Sequence, residues 1–117
     1  SRYIYSWNLK DRSMKYILIR RDRPGRAEQR AKLQPAHAAY QEPFLKLMVY
    51  GGGLVREGTD TSGNLDIGHI TGNVIVFAAD RETVEEFHRN DPYTQEDMFE
   101  FAIIEPIWQR VPAVDSD

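Results

Sequence analysis

The sequence contains no cysteine among its 117 residues, which excludes disulfides, thiol nucleophiles and zinc–thiolate sites within this chain. It also has no apolar run of about 18 residues, the shortest that is read as a membrane-spanning helix. The net charge is −3, without the positive excess that nucleic-acid-binding domains carry. We therefore expect neither a nucleic-acid nor a membrane partner, and we expect a cytoplasmic protein.

The composition that remains is typical of a globular domain, with 41% hydrophobic and 28% charged residues. A chain of this length has room for one core. We expect a single domain at residues 14–110, preceded by an N-terminal extension at 1–13 and followed by a tail at 111–117. The extension holds several apolar side chains, so we expect it to pack against something.

Hydrophobic patterns along the chain predict four strands and two helices. The predicted segments are a first strand at 15–20, a first helix at 26–49, a second strand at 54–57, a third strand at 70–79, a second helix at 81–90 and a last strand at 98–108. Pro35 and Pro43 are expected to kink or divide the first helix, and the glycine run 51–53 to end it. This β-α-β-β-α-β order predicts an α+β, ferredoxin-like fold with two helices on one face of a four-stranded antiparallel sheet.

The third and last predicted strands are apolar on both faces. In the third strand Val74 and Val76 alternate with Ile75 and Phe77. The last strand is predicted to place Phe99, Phe101 and Ile103 on one face, and Met98, Ala102 and Ile104 on the other. Two helices cover only one face, whereas a sheet face open to water normally carries polar residues. We therefore predict a homodimer in which two such sheets face each other.

One histidine lies in the middle of an apolar stripe on the first helix. The stripe, at spacings of three and four, consists of Arg30, Leu33, His37, Tyr40, Phe44, Leu47 and Met48. This position places His37 close to the sheet, either as a core histidine with both nitrogens bonded or as a general acid or base. Arg30 either holds an anionic group of a substrate or extends its charge to the surface.

The tripeptide Asp91-Pro92-Tyr93 follows the second helix. Asp is a preferred N-cap and Pro favours the first helical position, so the tripeptide can simply begin another helical turn. Alternatively, the Asp91 carboxylate turns inward and orients an imidazole, as in a catalytic triad. No serine or cysteine has the setting of a nucleophile, so a His–Asp pair would act on protons.

Metal and phosphate sites are not indicated by the remaining motifs. His69 and His88 have no metal-ligand spacing with His37, and the glycine run 51–53 follows a helix and lacks the lysine of a phosphate loop. We predict that the protein needs no metal and no other cofactor.

Several motifs together resemble the YciI-like (YCII-related) proteins. They are Arg30-x-x-x-x-Pro-Ala-His37 with Tyr40, Gly72-Asn73 opening an apolar strand, Asp91-Pro-Tyr93, and Ile104-Glu-Pro-Ile-Trp108. The resemblance implies a dimeric α+β barrel with a cleft between helices and sheet. It also implies a histidine–aspartate centre, which falls on His37 and Asp91. Related members include a dehydrochlorinase that acts on a chlorinated hydroxyquinol.

The chain departs from the family pattern at three places. Thr59 follows Gly58 where the family usually has proline, Asn73 follows Gly72 where it has serine, and Asp97 stands where it has glycine. The walls of the pocket are therefore expected to differ from those of other members.

We predict a small, cofactor-independent enzyme that moves protons on a small organic molecule, by elimination or isomerisation. His37 is the predicted acid or base and Asp91 its orienting carboxylate. The residues predicted to contact the substrate are Arg30, Tyr40, Asn73 and Tyr93. One alternative is a non-catalytic small-molecule-binding or interaction module in which the His–Asp pair is structural. Another is a monooxygenase or haem-handling protein of the same barrel type.

Overall fold

The computed structural model describes residues 14–114, so the predicted packing of the extension 1–13 and the end of the tail lie outside the described residues. The four strands are β1 (Lys15–Asp22), β2 (Met48–Val55), β3 (Ile70–Phe77) and β4 (Phe99–Ile107). The α-helices are α1 (Ala27–Gln41), α2 (Arg81–Asn90) and the single turn α3 (Pro92–Gln95). Short 3-10 segments cover Glu42–Leu47 and Ile67–His69.

The sheet has the strand order β2-β3-β1-β4, with every neighbouring pair antiparallel. The predicted four-stranded α+β, ferredoxin-like architecture is therefore confirmed. No helix in the described part of the chain is both long and apolar enough to cross a lipid bilayer.

The core lies between the sheet and the helices. Its fully buried members are Leu18, Ile75, Phe77, Ala79, Val84 and Phe87, and the partly buried members packed on them include Tyr40, Phe44, Leu47 and Met48. The predicted stripe on the first helix thus does face the sheet. Helix α2 begins as predicted, because the Asp80 side chain accepts a hydrogen bond of 2.9 Å from the Thr83 amide.

The first helix is shorter than predicted. Helix α1 continues through Pro35 without division and ends at Gln41, and the chain then forms a 3-10 segment that has Pro43 in its first turn. The prediction that the glycine run 51–53 ends the helix is wrong, because these glycines lie inside β2. Pro43, which the sequence predicts to kink or divide the first helix, lies where the α-helix gives way to the 3-10 segment. A helix-to-strand switch through a 3-10 turn needs no left-handed glycine.

A β-bulge in β4 changes the predicted assignment of side chains to faces. Arg21 pairs with Phe101 and Asp22 with Phe99, so Glu100 is the extra residue. Phe99 therefore lies on the helix side and is 8% exposed, whereas Phe101 points to the other face and is 41% exposed. The prediction that the two phenylalanines share a face is wrong, because simple alternation ignores the inserted residue.

Two backbone positions have positive φ angles that bear on the site. Gly72 has a φ of 154°, and a Cβ there would clash with the backbone carbonyl oxygen of Arg20. Asp97, where the family has glycine, has a φ of 57°. Aspartate is one of the few residues that tolerate this region. Its carboxylate also accepts a hydrogen bond of 2.9 Å from Arg23.

Candidate functional site

His37 and Asp91 lie in hydrogen-bond contact. The Nδ1 atom of His37 is 2.9 Å from Oδ1 and 3.0 Å from Oδ2 of Asp91. Helix α1 brings the ring to the sheet side, where His37 is 8% exposed and Asp91 is completely buried. An ionised carboxylate only accepts, so Nδ1 carries a proton in this contact, and the tautomer that the contact selects has its lone pair on Nε2.

The carboxylate of Asp91 also performs both tasks that its tripeptide suggested. Its Oδ1 accepts a hydrogen bond of 3.0 Å from the Tyr93 amide, which caps α3. The cap and the contact with His37 involve the same short side chain at the end of α2. The two interpretations of the Asp-Pro-Tyr motif are therefore not exclusive.

Arg20 lies beneath this pair. It comes from the middle of β1, is completely buried, and places Nη2 2.9 Å from Oδ2 of Asp91. Its Nε donates to Oδ1 of Asn73 over 3.0 Å, and its guanidinium carbon lies 4.4 Å from the centre of the Phe99 ring. A buried carboxylate without a cation would be costly, and Arg20 supplies that cation.

The net effect of this environment is to keep Asp91 ionised. Burial by itself raises the pKa of the Asp91 carboxyl, but the hydrogen bond from His37 and the charge of Arg20 outweigh it and leave that pKa below its usual value. Burial lowers the pKa of the Arg20 guanidinium, while Asp91 acts in the opposite direction. The pair thus remains charged at neutral pH.

His88, on α2, faces the same arginine. Its Nδ1 lies 3.3 Å from Nη1 of Arg20 and 3.3 Å from the hydroxyl of Thr94. Burial, followed by the charge of Arg20, lowers the pKa of His88. The ring is therefore neutral near pH 7 and accepts a hydrogen bond from the arginine.

Three side chains are stacked at the wall of the site. The rings of Tyr93 and His37 are 4.3 Å apart at an angle of 19°, and the guanidinium carbon of Arg30 lies 4.5 Å from the centre of the Tyr93 ring. Arg30 is itself held by Asp22 through hydrogen bonds of 2.7 and 2.8 Å. Burial raises the pKa of the Tyr93 phenol, so its hydroxyl stays protonated at neutral pH. The stack fixes the plane of the imidazole.

A cleft of about 520 Å³ opens between α1 and strands β2 and β3. His37, Arg30, Asn73 and Tyr93 line it, together with the glycine run of β2. The remaining lining residues include the polar Gln34 and Gln41 and the larger apolar residues Leu45, Met48, Val49, Tyr50, Ile67, Ile70 and Ile75. The volume is within the range of small-molecule sites, roughly 300–1,000 Å³.

The sequence model of the YCII-related domain matches residues 14–107. The chain belongs to the YCII-related family. Among solved structures, it is similar to 5-chloro-2-hydroxyhydroquinone dehydrochlorinase from Burkholderia phenoliruptrix AC1100, in complex with 2,5-dihydroxybenzoquinone. The two are 32% identical over 81% of this chain and 93% of that chain, with a TM-score of 0.72. A protein from Agrobacterium tumefaciens shares the fold at 16% identity, with 86% and 99% coverage and a TM-score of 0.50. A search of curated proteins found no significant match.

Of the residues predicted to contact a substrate in this YCII-related chain, three line the cleft and one does not. Arg30, Asn73 and Tyr93 lie on its wall, but the charge of Arg30 is already paired with Asp22. Tyr40 is absent from the wall, because its hydroxyl donates to the Phe87 carbonyl oxygen over 3.0 Å. Tyr40 is therefore placed as a packing residue.

Arg20 is the residue of this site that sequence reasoning missed. It is the last residue of the predicted first strand, where no role in the site was assigned to it, yet it is fully buried. The signal was its position: Arg20 alternates with Tyr16 and Leu18, which point to the core. Among residues 14–114, no group of three or more His, Cys, Asp or Glu side chains is arranged to hold a metal ion.

Proposed function

We propose that this protein is a small-molecule enzyme in which His37 transfers a proton to or from a substrate bound in the cleft. The observation that carries the proposal is the state of the imidazole. Its Nδ1 is held by a buried, ionised carboxylate, and its ring lines a cleft large enough for a ligand. Within the described residues Nε2 has no hydrogen-bond partner, so its lone pair is available to a substrate.

The roles of the neighbouring residues follow from their contacts. Asp91 fixes the tautomer and orientation of His37, and Tyr93 fixes the plane of its ring by stacking. Asn73 and the Tyr93 hydroxyl are proposed to hydrogen-bond the substrate from the wall. Proton transfer of this kind requires no redox cofactor. The homodimer and the cytoplasmic location stay predictions.

The substrate class is proposed from the similarity to the dehydrochlorinase. Loss of hydrogen chloride from a chlorinated, hydroxylated ring requires a base that removes a proton while chloride departs with the electron pair of its bond to carbon. A histidine that lines the cleft and is oriented by a carboxylate is suited to the first of these events. We therefore propose a small oxygen-substituted ring as substrate, with elimination or isomerisation as the reaction.

The test compares His37→Gln with the wild-type protein and with His69→Gln, a matched change at an exposed histidine. With 5-chloro-2-hydroxyhydroquinone as substrate, chloride release should fall roughly 100-fold or more in His37→Gln, the usual size of an acid–base contribution. It should be unchanged in His69→Gln. Circular dichroism should show that both variants remain folded. Equal chloride release by all three proteins would contradict the role of His37.

A non-catalytic ligand-binding module is the second candidate. One observation favours it: Asp91 caps α3 and neutralises Arg20, so the carboxylate has structural tasks that need no reaction. This alternative predicts that wild-type protein binds 2,5-dihydroxybenzoquinone in the cleft without turning over any ring substrate. It also predicts that His37→Gln destabilises the fold without altering any rate.

A further inference from the structure

Three consecutive glycines of β2, Gly51, Gly52 and Gly53, line the cleft. Glycine in the interior of a strand costs stability, because it loses more backbone freedom on folding and has no side chain to pack. Such a run therefore calls for a reason, which is either a requirement of the backbone or the space that a missing side chain leaves.

The backbone provides no reason at Gly51. A glycine is required where φ is positive or where another part of the chain approaches closely, and Gly72 shows both features. Gly51 shows neither, since it is not among the positive-φ glycines and a Cβ built on it meets no atom within 4 Å. The fold would accept a side chain at this position.

The direction of the missing side chain follows from the strand register. Gly51 pairs with Ile75, which is buried on the helix side and lines the cleft, so both positions face the cleft. Gly52 pairs with Val74 and points to the opposite face. At Gly53 a Cβ would meet side-chain atoms of Ile70 at 3.4 to 3.6 Å, so less room is free there. Gly51 is thus the glycine whose absent side chain leaves open cleft.

The same cleft contains the imidazole of His37, which is 8% exposed and has Nδ1 turned away towards Asp91. The open space above Gly51 and this polar ring belong to one cavity. We propose that Gly51 is a specificity-determining residue: the bare backbone of β2 at this position forms the surface against which a flat ring of the ligand lies. This inference rests on the proposed function for the class of ligand.

The experiment measures binding and stability together. Three flat one-ring probes, 2,5-dihydroxybenzoquinone, hydroquinone and 4-hydroxybenzoate, are titrated into ¹⁵N-labelled wild-type, Gly51→Ala, Gly51→Val and Gly63→Ala proteins. The wild-type protein should bind at least one probe, and the amide chemical shifts of residues that line the cleft should change on binding. Gly51→Val should weaken that binding at least tenfold and Gly51→Ala by a smaller factor. Gly63→Ala, in an exposed loop outside the cleft where a Cβ meets no atom within 4 Å, should leave the affinity within twofold of wild type.

Stability separates a glycine kept for ligand space from one kept for folding. The thermal midpoint of Gly51→Val should equal or exceed that of the wild-type protein, because a β-branched residue suits a strand. A midpoint that falls as in a Gly72→Ala variant would make Gly51 structural and overturn the inference. So would unchanged affinity in Gly51→Val, or a wild-type protein that binds none of the three probes.

The two proposals fail in different ways. If Gly51→Val loses probe binding while His37→Gln retains full chloride release, the acid–base function is wrong and the role of Gly51 stands. If His37→Gln loses turnover while Gly51→Val still binds and converts the ring substrate, the reverse holds.

Discussion

Protonation at the residue scale connects the site to the stability of the fold. Arg20 contacts both Asp91 and His88, so one buried cation faces a carboxylate that should stay ionised and an imidazole that should stay neutral. Each of these two groups binds a proton more weakly in the folded chain than in the unfolded one, since both pKa values are lowered. Acid should therefore destabilise the protein in two separate pH ranges, one for each of these groups.

The pH range in which His88 takes up a proton is the one nearer neutral pH. Because burial and the Arg20 charge lower its pKa from 6.5, its contribution to stability is complete above that value and is lost as the pH falls below it. We expect urea unfolding of the wild-type protein to show a lower free energy of unfolding at about pH 5 than at about pH 7.5. His88→Gln should show a smaller difference.

The pH range in which Asp91 takes up a proton lies lower, and the loss of stability in that range serves as an internal control. Its carboxyl has a pKa below 3.8 in the folded protein, so its contribution persists above that value and is lost as the pH falls through the folded-state pKa. The His88→Gln variant should still lose stability in this lower pH range, because its Asp91 is unchanged. If the wild-type protein and His88→Gln lost equal stability between about pH 7.5 and about pH 5, the account of His88 would be contradicted.

Sequence reasoning could bring His37 and Asp91 together because each continues a helical stripe that faces the sheet. It could not show what the Tyr40 hydroxyl contacts, although Tyr40 lies on the same stripe, because the partner of that hydroxyl is a backbone carbonyl on another helix. Helical periodicity gives the face of a residue but not what the tip of a long side chain meets across the interface.

At the scale of secondary-structure elements, the parts that were hard to predict are those where the regular periodicity of a strand or helix is interrupted. The bulge at Glu100 and the 3-10 segment Glu42–Leu47 both add or remove residues relative to a regular strand or helix. Hydrophobic periodicity is detected over several residues, so it does not reveal a change of register by a single residue. The order of the main strands and helices along the chain, by contrast, was predicted correctly, because it depends on the type of each element and not on its exact bounds.

Gly72 provides the prediction at this scale. It begins the section of β3 that carries Asn73 into the cleft, and it lets the strand pass directly beside the backbone of Arg20. We expect Gly72→Ala to destabilise the protein by about 2 kcal/mol or more, because the added methyl group meets backbone that cannot move without disturbing the buried ion pair. Urea unfolding measures the change.

A matched control is Gly63→Ala, in an exposed loop where a Cβ meets nothing within 4 Å. This variant should unfold at nearly the same urea concentration as the wild-type protein. If Gly72→Ala behaved in the same way, the close approach between β3 and β1 would not be a rigid constraint.

At the scale of the whole molecule, the face of the sheet turned away from the helices is apolar. Tyr50, Phe101 and Ile103 are 61%, 41% and 41% exposed on this face, and Ile19 pairs with Ile103 there. Contiguous exposed apolar surface of this kind marks an interaction site in many proteins. The homodimer predicted from strand patterns remains the prediction that this surface supports.

Val76 allows the dimer to be tested without altering the core. It lies on the helix-free face, whereas its neighbour Ile75 is buried beneath the helices. Light scattering should give about twice the chain mass of 13.6 kDa for the wild-type protein and the single-chain mass for Val76→Asp. Val114→Asp, at an exposed tail position, is the matched control and should remain dimeric. A monomeric wild-type protein at about micromolar concentration, comparable to ordinary dimer affinities, would contradict the prediction.

The double use of the Asp91 carboxylate has a consequence for how relatives of this chain would diverge. Under the proposed function, a descendant that abandoned proton transfer would still need a short capping side chain at position 91 and a negative charge beside Arg20, so aspartate would be retained there. Position 37 would be under no such constraint, because the imidazole bonds only Asp91 within the described residues. In a set of related sequences, histidine at position 37, and not the more conspicuous Asp-Pro-Tyr motif, would therefore separate active lineages from those that kept only the fold.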